Sequence, residues 1–211
     1  MKTRIFISLI TGAVLCGGLL TGCDKDDDNE GGTSEEFTYD KHSYRIVKQK
    51  KTWIEAAADA VAQGGYLAEI DTKGEQEAIW KAISAEGISP DYAKAPDGGD
   101  VGYIWIGGHR TSGNAWVWNG GNQSGTFPLF WLGDQKGSAI GGSYANWGGS
   151  SKGSLNEPDN FTHSSLSPNG QNTVAIGLAS WPSGNTSPYG IAGEWNDIAD
   201  TNQLYYVIEF D

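Results

Sequence analysis

Both cysteines of the 211-residue chain lie near its start, and their position limits how the rest can be stabilised. Cys16 falls inside an uncharged, apolar segment, and Cys23 follows its end. No cysteine occurs later, so the remainder can contain neither a disulfide nor a zinc site built from thiolates. A chain of this size can bury about 70% of its unfolded surface. We therefore expect an apolar core, rather than cross-links, to hold the fold together.

The first 22 residues have the pattern of a signal peptide. Lys2 and Arg4 form a short basic region, and residues 5–22 carry no charge but are interrupted by glycines. The sequence Leu-Thr-Gly-Cys at 20–23 resembles the lipobox of bacterial lipoproteins. This resemblance implies cleavage before Cys23 and its modification by lipid such as palmitate, where two or more acyl chains give stable anchoring. A plain secretory signal or an uncleaved anchor is the alternative.

Residues 23–36 indicate a lipidated cysteine followed by a flexible tether. From residue 24 onward this stretch holds seven acids, one lysine and no aliphatic or aromatic residue, so it cannot bury enough apolar surface to order itself. Acids directly after a lipidated cysteine resemble a surface-export signal of some Gram-negative bacteria. The resemblance implies a lipid-anchored protein of the outer membrane, exposed at the cell surface and touching the membrane through its anchor alone.

The charge balance excludes one class of partner. The chain has 14 Lys and Arg against 26 Asp and Glu, a formal charge of −12, without a basic run. Affinity for nucleic-acid backbones comes from clustered basic side chains, so we expect no nucleic-acid partner.

Residues 37–211 form one predicted domain, which contains all nine tryptophans and all nine tyrosines. Helices are predicted over 52–63 and 72–86, because each begins with a threonine followed three residues later by a glutamate and ends at glycine. A short strand is predicted between them at 66–70, and residues 88–100 are predicted to form a loop.

The second half of the domain changes character. Between residues 98 and 153 there are 16 glycines in 56 positions, about four times the usual ~7%, which favours turns and long loops. Short apolar runs bounded by turn residues predict four strands, at 103–106, 115–118, 173–176 and 204–208. Two helices followed by short strands indicate the α+β class. The tryptophans of these strands, and Trp195, are predicted to lie in the core.

Two acidic segments suggest a site for a hard cation. Glu157-Pro158-Asp159 and Glu194-Trp195-Asn196-Asp197 offer oxygen ligands without clustered histidine or cysteine. Calcium accepts roughly six to eight oxygen ligands in flexible geometry, and these carboxylates would repel one another without it. The alternative is that they are turn acids and a capped strand entry.

An ordered series of short motifs resembles the C-type lectin-like domain, in a cysteine-less bacterial form. The series runs through Trp53-x-x-Ala56, Gly65-Tyr66-Leu67-Ala68, Glu75, Trp105-Ile106-Gly107-Gly108, Trp116-x-Trp118, Asn146-Trp147, Glu157-Pro158-Asp159 and Trp195-Asn196-Asp197. The resemblance covers about residues 37–211. It implies two helices flanking antiparallel sheets, with a long loop region that carries the ligand site.

The resemblance also implies a set of calcium ligands. Glu157 and Asp159 match one family segment, with a cis proline between them, while Asn196 and Asp197 match another. Gln171 is the nearest match to a downstream glutamate, and it keeps a carbonyl oxygen but no charge. In the family the ion and its ligands together bind neighbouring sugar hydroxyls. The triplet Glu-Pro-Asp mixes the mannose-type and galactose-type patterns, so no sugar preference is implied.

These observations lead to one expected function and one alternative. We expect a glycan or glycoprotein ligand bound through calcium (Ca2+), with Trp181 and Tyr189 as candidate faces for stacking against a sugar ring. The alternative is a calcium-independent adhesin that binds a protein receptor. We expect no enzyme: Gly149-Ser150-Ser151-Lys152-Gly153 has the letters of a nucleophile elbow without the strand and helix that this motif needs.

Overall fold

A computed structural model describes residues 32–121 and 127–211 of the chain. The predicted signal peptide, Cys23 and residues 24–31 lie outside the described residues, so lipidation stays a prediction. Within the described ranges, neither helix has the length and apolar character needed to cross a bilayer.

Two helices form where the capping pattern predicts them. Helix α1 spans Trp53–Ala62 and helix α2 spans Lys73–Ala85. Thr52 accepts the backbone N–H of Glu55, whose side chain returns a bond to the Thr52 backbone, so the predicted capping box is confirmed. Thr72 caps α2 in the same manner through the N–H of Glu75. Both predicted helices are therefore confirmed to within about a residue at each end.

The described residues contain eleven strands. They are β1 (Phe37–Tyr39), β2 (His42–Lys51), β3 (Tyr66–Leu67), β4 (Lys94–Ala95), β5 (Val101–Thr111), β6 (Ala115–Trp118), β7 (Leu129–Leu132), β8 (Ser138–Ala139), β9 (Thr173–Gly177), β10 (Trp195–Ile198) and β11 (Leu204–Phe210). The four strands predicted in the second half are confirmed within β5, β6, β9 and β11. The strand predicted at 66–70 is shorter, and the predicted loop at 88–100 contains β4 and a 3-10 turn at Pro96–Gly98.

The strands join into one mixed sheet. Its main path runs β1-β2-β11-β5-β6-β7-β8, with β9 paired to β5 and β10 paired to β9. All strand pairs are antiparallel except β5 with β11, which run parallel. The α+β class is thus confirmed, and the predicted antiparallel sheet contains one parallel pair near its centre.

The domain begins earlier than its composition suggests. Thr33 forms a bridge with Val47 of β2, and the Ser34 N–H donates to the Ile46 carbonyl at 2.8 Å. Glu36 forms an ion pair with Arg45. Assignment of residues 33–36 to the flexible tether is therefore wrong, because backbone pairing along β2 orders them without needing apolar side chains of their own.

Buried aromatic side chains form a large part of the core of this domain, which contains no cysteine. Trp105, Trp116, Trp118 and Trp195 are almost completely buried, as predicted. The Trp118 ring stacks on Phe130 at 4.3 Å between ring centroids and meets Trp195 edge-on at 5.6 Å. Buried aromatic pairs contribute roughly 0.5–1.5 kcal/mol beyond the area that they bury, so this cluster fixes β6, β7 and β10 against one another.

Candidate metal centre

Three carboxylates from two separated stretches of the chain meet at one point. One oxygen from each of Glu157, Asp159 and Asp197 lies within 4.8 Å of the others. Glu157 and Asp197 are buried, and Asp159 is exposed. Both oxygens of Asp197 accept backbone N–H groups from the other stretch, from Asp159 at 3.0 Å and from Asn160 at 2.8 Å. The peptide bond before Pro158 is cis, which confirms that prediction.

The carboxylates destabilise one another's charge. Burial raises the pKa of Glu157, and the charges of Asp197 and Asp159 raise it further. Burial and the charge of Asp159 raise the pKa of Asp197 in the same direction. Burial also raises the pKa of Asp159. A divalent cation at this point would favour the ionised forms and remove the conflict.

Two oxygens of the site lack a hydrogen-bond partner among the described residues. They are Glu157 Oε2 and Asn196 Oδ1, both buried. The other polar atom of each side chain is fixed: Glu157 Oε1 accepts Trp181 Nε1–H at 2.9 Å, and Asn196 Nδ2–H donates to the Tyr103 hydroxyl at 2.9 Å. Buried polar atoms are nearly always paired, so these two oriented oxygens require an explanation.

The donor set fits a hard cation. The unpaired atoms are oxygens, as are the clustered carboxylate atoms, and calcium prefers such ligands. Glu157, Asp159 and Asn196 border an open cleft of about 200 Å³, which we call the site cleft. It lies between residues 96–99, residues 157–171 and residues 181–189. An ion here would be reachable by a ligand from solvent.

Comparison with known proteins identifies the architecture. No family model matches the chain. Snaclec crotocetin-1 from Crotalus durissus terrificus is 30% identical over 109 residues, a match that covers 51% of this chain and 60% of the snaclec. Human lithostathine superimposes with a TM-score of 0.51 at 17% identity, covering 83% of this chain and 96% of lithostathine. The mouse scavenger receptor C-type lectin carbohydrate-recognition domain gives 0.50 at 17% identity, covering 83% and 93%.

The domain has the C-type lectin-like fold. The motif order predicted this fold, and the solved structures confirm it. At these identities the likeness concerns the fold alone, so the chemistry of the site rests on its own residues.

In this lectin-like domain Gln171 lies beside the carboxylates but is already engaged. Its Oε1 accepts the Phe161 N–H at 2.9 Å, while its Nε2 donates to the Asp97 carboxylate at 3.1 Å and to the Asp97 carbonyl at 3.2 Å. A carbonyl oxygen has two lone pairs, so one remains for an ion. Gln171 therefore acts first as a brace that fixes the 157–161 loop to the turn containing Asp97.

Trp181 is placed differently from its prediction. Its ring is 1% exposed and lies in a slot where a Cβ on Gly148, Gly177 or Gly190 would approach within 2.7 Å of it. No face remains for a sugar, so the predicted stacking role of Trp181 is wrong. Three glycines from separated segments create this slot, and the indole instead orients Glu157.

Tyr189 keeps the position that its prediction requires. It is 48% exposed and borders the site cleft. Its backbone N–H donates to the Trp181 carbonyl at 2.8 Å, and its own carbonyl accepts the Asn156 side-chain N–H at 2.8 Å. The backbone of Tyr189 is thus fixed at the edge of the cleft, and stacking of its ring against a ligand stays a prediction.

Sequence reasoning missed Asp97, and it counted Glu194 among the oxygen ligands. Asp97 lines the site cleft and accepts the N–H groups of Ala199 at 2.8 Å and the Asn202 side chain at 2.6 Å, which ties the 96–99 turn to the end of β10. The Pro-Asp-Gly-Gly turn that carries Asp97 was the available signal. Glu194 is buried but satisfied, since it accepts the N–H groups of Gly149, Ser151 and Ile191.

Proposed function

We propose that the chain is a surface lipoprotein whose C-type lectin-like domain binds carbohydrate through one calcium ion. The observation that carries this proposal is the pair of buried, unpartnered oxygens, Glu157 Oε2 and Asn196 Oδ1, beside a carboxylate cluster at an open cleft. A site designed only for stability would pair such atoms with protein donors.

The residues have separable roles in this proposal. Glu157, Asp159, Asn196 and Asp197 would hold the ion, with Gln171 as a weaker neighbour. Calcium would supply open coordination positions for two adjacent hydroxyls of a sugar. The carboxylate of Glu157 would also accept hydrogen bonds from those hydroxyls, and exposed Tyr189 would contact the ring.

Binding rather than catalysis suits the surroundings. The serine of the elbow-like sequence, Ser150, lies in a 3-10 turn at Ser150–Lys152 and donates to Glu194 and Asn146. Although burial opposes the shift, the backbone N–H groups of Ser151, Gly149 and Ile191 lower the pKa of Glu194, so this partner is a weak base for activating the serine. We propose a non-enzymatic role in adhesion.

The location belongs to the same proposal and rests on sequence. Lipid on Cys23 and the acidic residues after it support anchoring in an outer membrane with the domain outside the cell. Residues 32–34 pair with β2, so the tether between lipid and domain would lie before them in the chain.

A calcium-independent protein-binding role is the second candidate, and one observation favours it. Gln171 stands where a charged ligand is expected and already accepts a hydrogen bond from Phe161. A site with one fewer carboxylate binds calcium less tightly.

A glycan array probed in calcium and in chelator separates these candidates. We expect binding in calcium that disappears in chelator and in Asp197→Asn. Asp134→Asn, which changes an exposed acid that does not border the site cleft, should bind as the wild type does. Glycan binding that persists in chelator would reject the calcium-bridged mechanism, whereas absence of glycan binding in both conditions would favour the second candidate.

A further inference from the structure

Three exposed apolar side chains border the same cleft as the candidate metal ligands. Phe161, Leu166 and Tyr189 are respectively 41%, 38% and 48% exposed, and all three border the site cleft. The other large exposed apolar side chains of the described ranges do not border this cleft: they are Ile54, Val61, Phe127, Leu129 and Leu132. Contiguous exposed apolar groups at a cleft mark a binding surface, unlike scattered ones.

Backbone hydrogen bonds hold this apolar rim in place. The Phe161 N–H donates to Asp159 Oδ1 at 2.9 Å, which couples its position to a candidate ion ligand. Leu166 lies in a loop closed by His163 and Ser167, whose backbones exchange bonds of 3.1 and 3.3 Å. The buried Ser167 hydroxyl then donates to the Phe161 carbonyl at 2.9 Å. The exposed apolar groups therefore belong to a fixed wall.

The part of the cleft formed by residues 98–99 and Pro182 offers few hydrogen-bond partners. The carbonyl groups of Gly98 and Gly99 each accept one bond already, from the Tyr103 hydroxyl at 2.6 Å and the Ser183 N–H at 2.8 Å, so each keeps one lone pair. Pro182 borders the same part of the cleft and has no N–H. A second sugar ring seated here would leave most of its hydroxyls without partners, which is costly, whereas a hydrocarbon group needs none.

We propose that the site cleft takes an aliphatic group covalently joined to the bound saccharide, so that acylated or alkylated glycans are the preferred ligands. This inference rests on the proposed function and specifies its substrate class. The saccharide hydroxyls face the carboxylates and the ion, and the aliphatic group lies between Leu166, Phe161 and Pro182. The acidic side chains beside the cleft, Asp159 and Glu157, disfavour a negatively charged substituent at the same place.

Paired glycosides test the inference directly. The protein carries Cys23→Ser, so that no lipid attached to this residue can occupy the cleft. It is titrated in the presence of calcium with methyl and hexyl mannosides and galactosides, below the concentrations at which they form micelles. We expect the hexyl compound of the bound sugar to bind about tenfold more tightly than the methyl compound, since each buried methylene adds affinity. Leu166→Asn should bring this ratio close to one, and Leu132→Asn, at an exposed position on β7 outside the cleft, should leave it unchanged.

The other outcomes are distinguishable. Equal affinity for methyl and hexyl glycosides would overturn the inference while leaving calcium-dependent sugar binding intact. A preference for hexyl that Leu166→Asn does not alter would also overturn it, because the chain would then bind elsewhere. If the wild-type protein self-associates and Leu166→Asn does not, a second copy of the chain covers the rim, and the inference is overturned. Calcium binding without affinity for either glycoside would contradict this inference and the proposed function together.

Discussion

Two groups of carboxylates in the domain have buried members, and the groups differ in how many hydrogen-bond donors reach their oxygens. Glu75 and Glu209 lie near each other at one cavity, and donors reach their oxygens: the Tyr44 hydroxyl at 2.7 Å and the Asp71 N–H at 2.9 Å for Glu75, and the Glu69 N–H at 2.9 Å for Glu209. The second oxygen of Glu209 lies 2.9 Å from His42 Nδ1.

In the second group, Glu157 lacks this protection. Glu157 has one protein donor and one unpartnered oxygen, and its neighbour Asn196 adds another unpartnered oxygen. Burial raises the pKa of Glu157 and of Glu209 alike. A raised pKa is therefore found in both groups and does not distinguish a structural cluster from a candidate ligand site. What distinguishes them is the presence of buried oxygen atoms without hydrogen-bond partners beside an open cleft.

The largest expected difference between the clusters is their response to calcium. Calcium at about 100 times its dissociation constant should stabilise the domain by about 2.7 kcal/mol, or about 5–10 °C in melting temperature. Glu157→Gln keeps an acceptor for Trp181 but replaces the unpartnered oxygen, so it should abolish this shift in a melting experiment. Glu209→Gln should retain it. Equal loss in both variants would contradict the distinction.

The second prediction concerns a carboxylate of the Glu75 and Glu209 group that loses its hydrogen-bond donor. Tyr44→Phe removes the hydroxyl that donates to Glu75 and leaves a buried oxygen unpaired. The free energy of unfolding, measured with denaturant, should fall by about 1–3 kcal/mol. Tyr189→Phe, at an exposed ring, serves as the control and should change it little. An unaltered stability of Tyr44→Phe would show that this pairing matters less than the comparison requires.

The last comparison concerns how the free energy of unfolding changes with pH. Burial, and then the charge of Glu75, raise the pKa of Glu209 to about 8. A raised carboxyl pKa means that stability present at acidic pH is lost as pH rises through about 8. The unfolding free energy of Glu209→Gln should therefore rise relative to that of the wild type as the pH increases from 5 to 8, and the difference should stay constant above that range. Glu77→Gln, at an exposed site, should show no such trend.

Local patterns predicted the helices and many strands because they act within a few residues. The threonine and glutamate pair at each helix start fixes its first turn, and β-branched or aromatic runs mark β5, β9 and β11. Strand β2 escaped prediction because its charged sequence, His42–Lys51, becomes a strand by pairing with β11 about 160 residues later.

The site was predictable to a similar degree. The order of the motifs predicted that Glu157, Asp159, Asn196 and Asp197 lie close together, and they do so in the structure. The burial of Trp181 was not predictable, since it depends on glycines at three distant positions. The role of Asp97 likewise depends on contacts with residues about a hundred positions later.

The central claim is that the unpartnered oxygens of Glu157 and Asn196 mark a calcium site. Isothermal titration of the chain with calcium tests it most directly. We predict saturable binding of one ion per chain, which Glu157→Gln and Asp197→Ala remove and Glu75→Gln leaves intact. Absence of binding heat together with an unchanged melting temperature in calcium, or binding that survives both site substitutions, would contradict the claim.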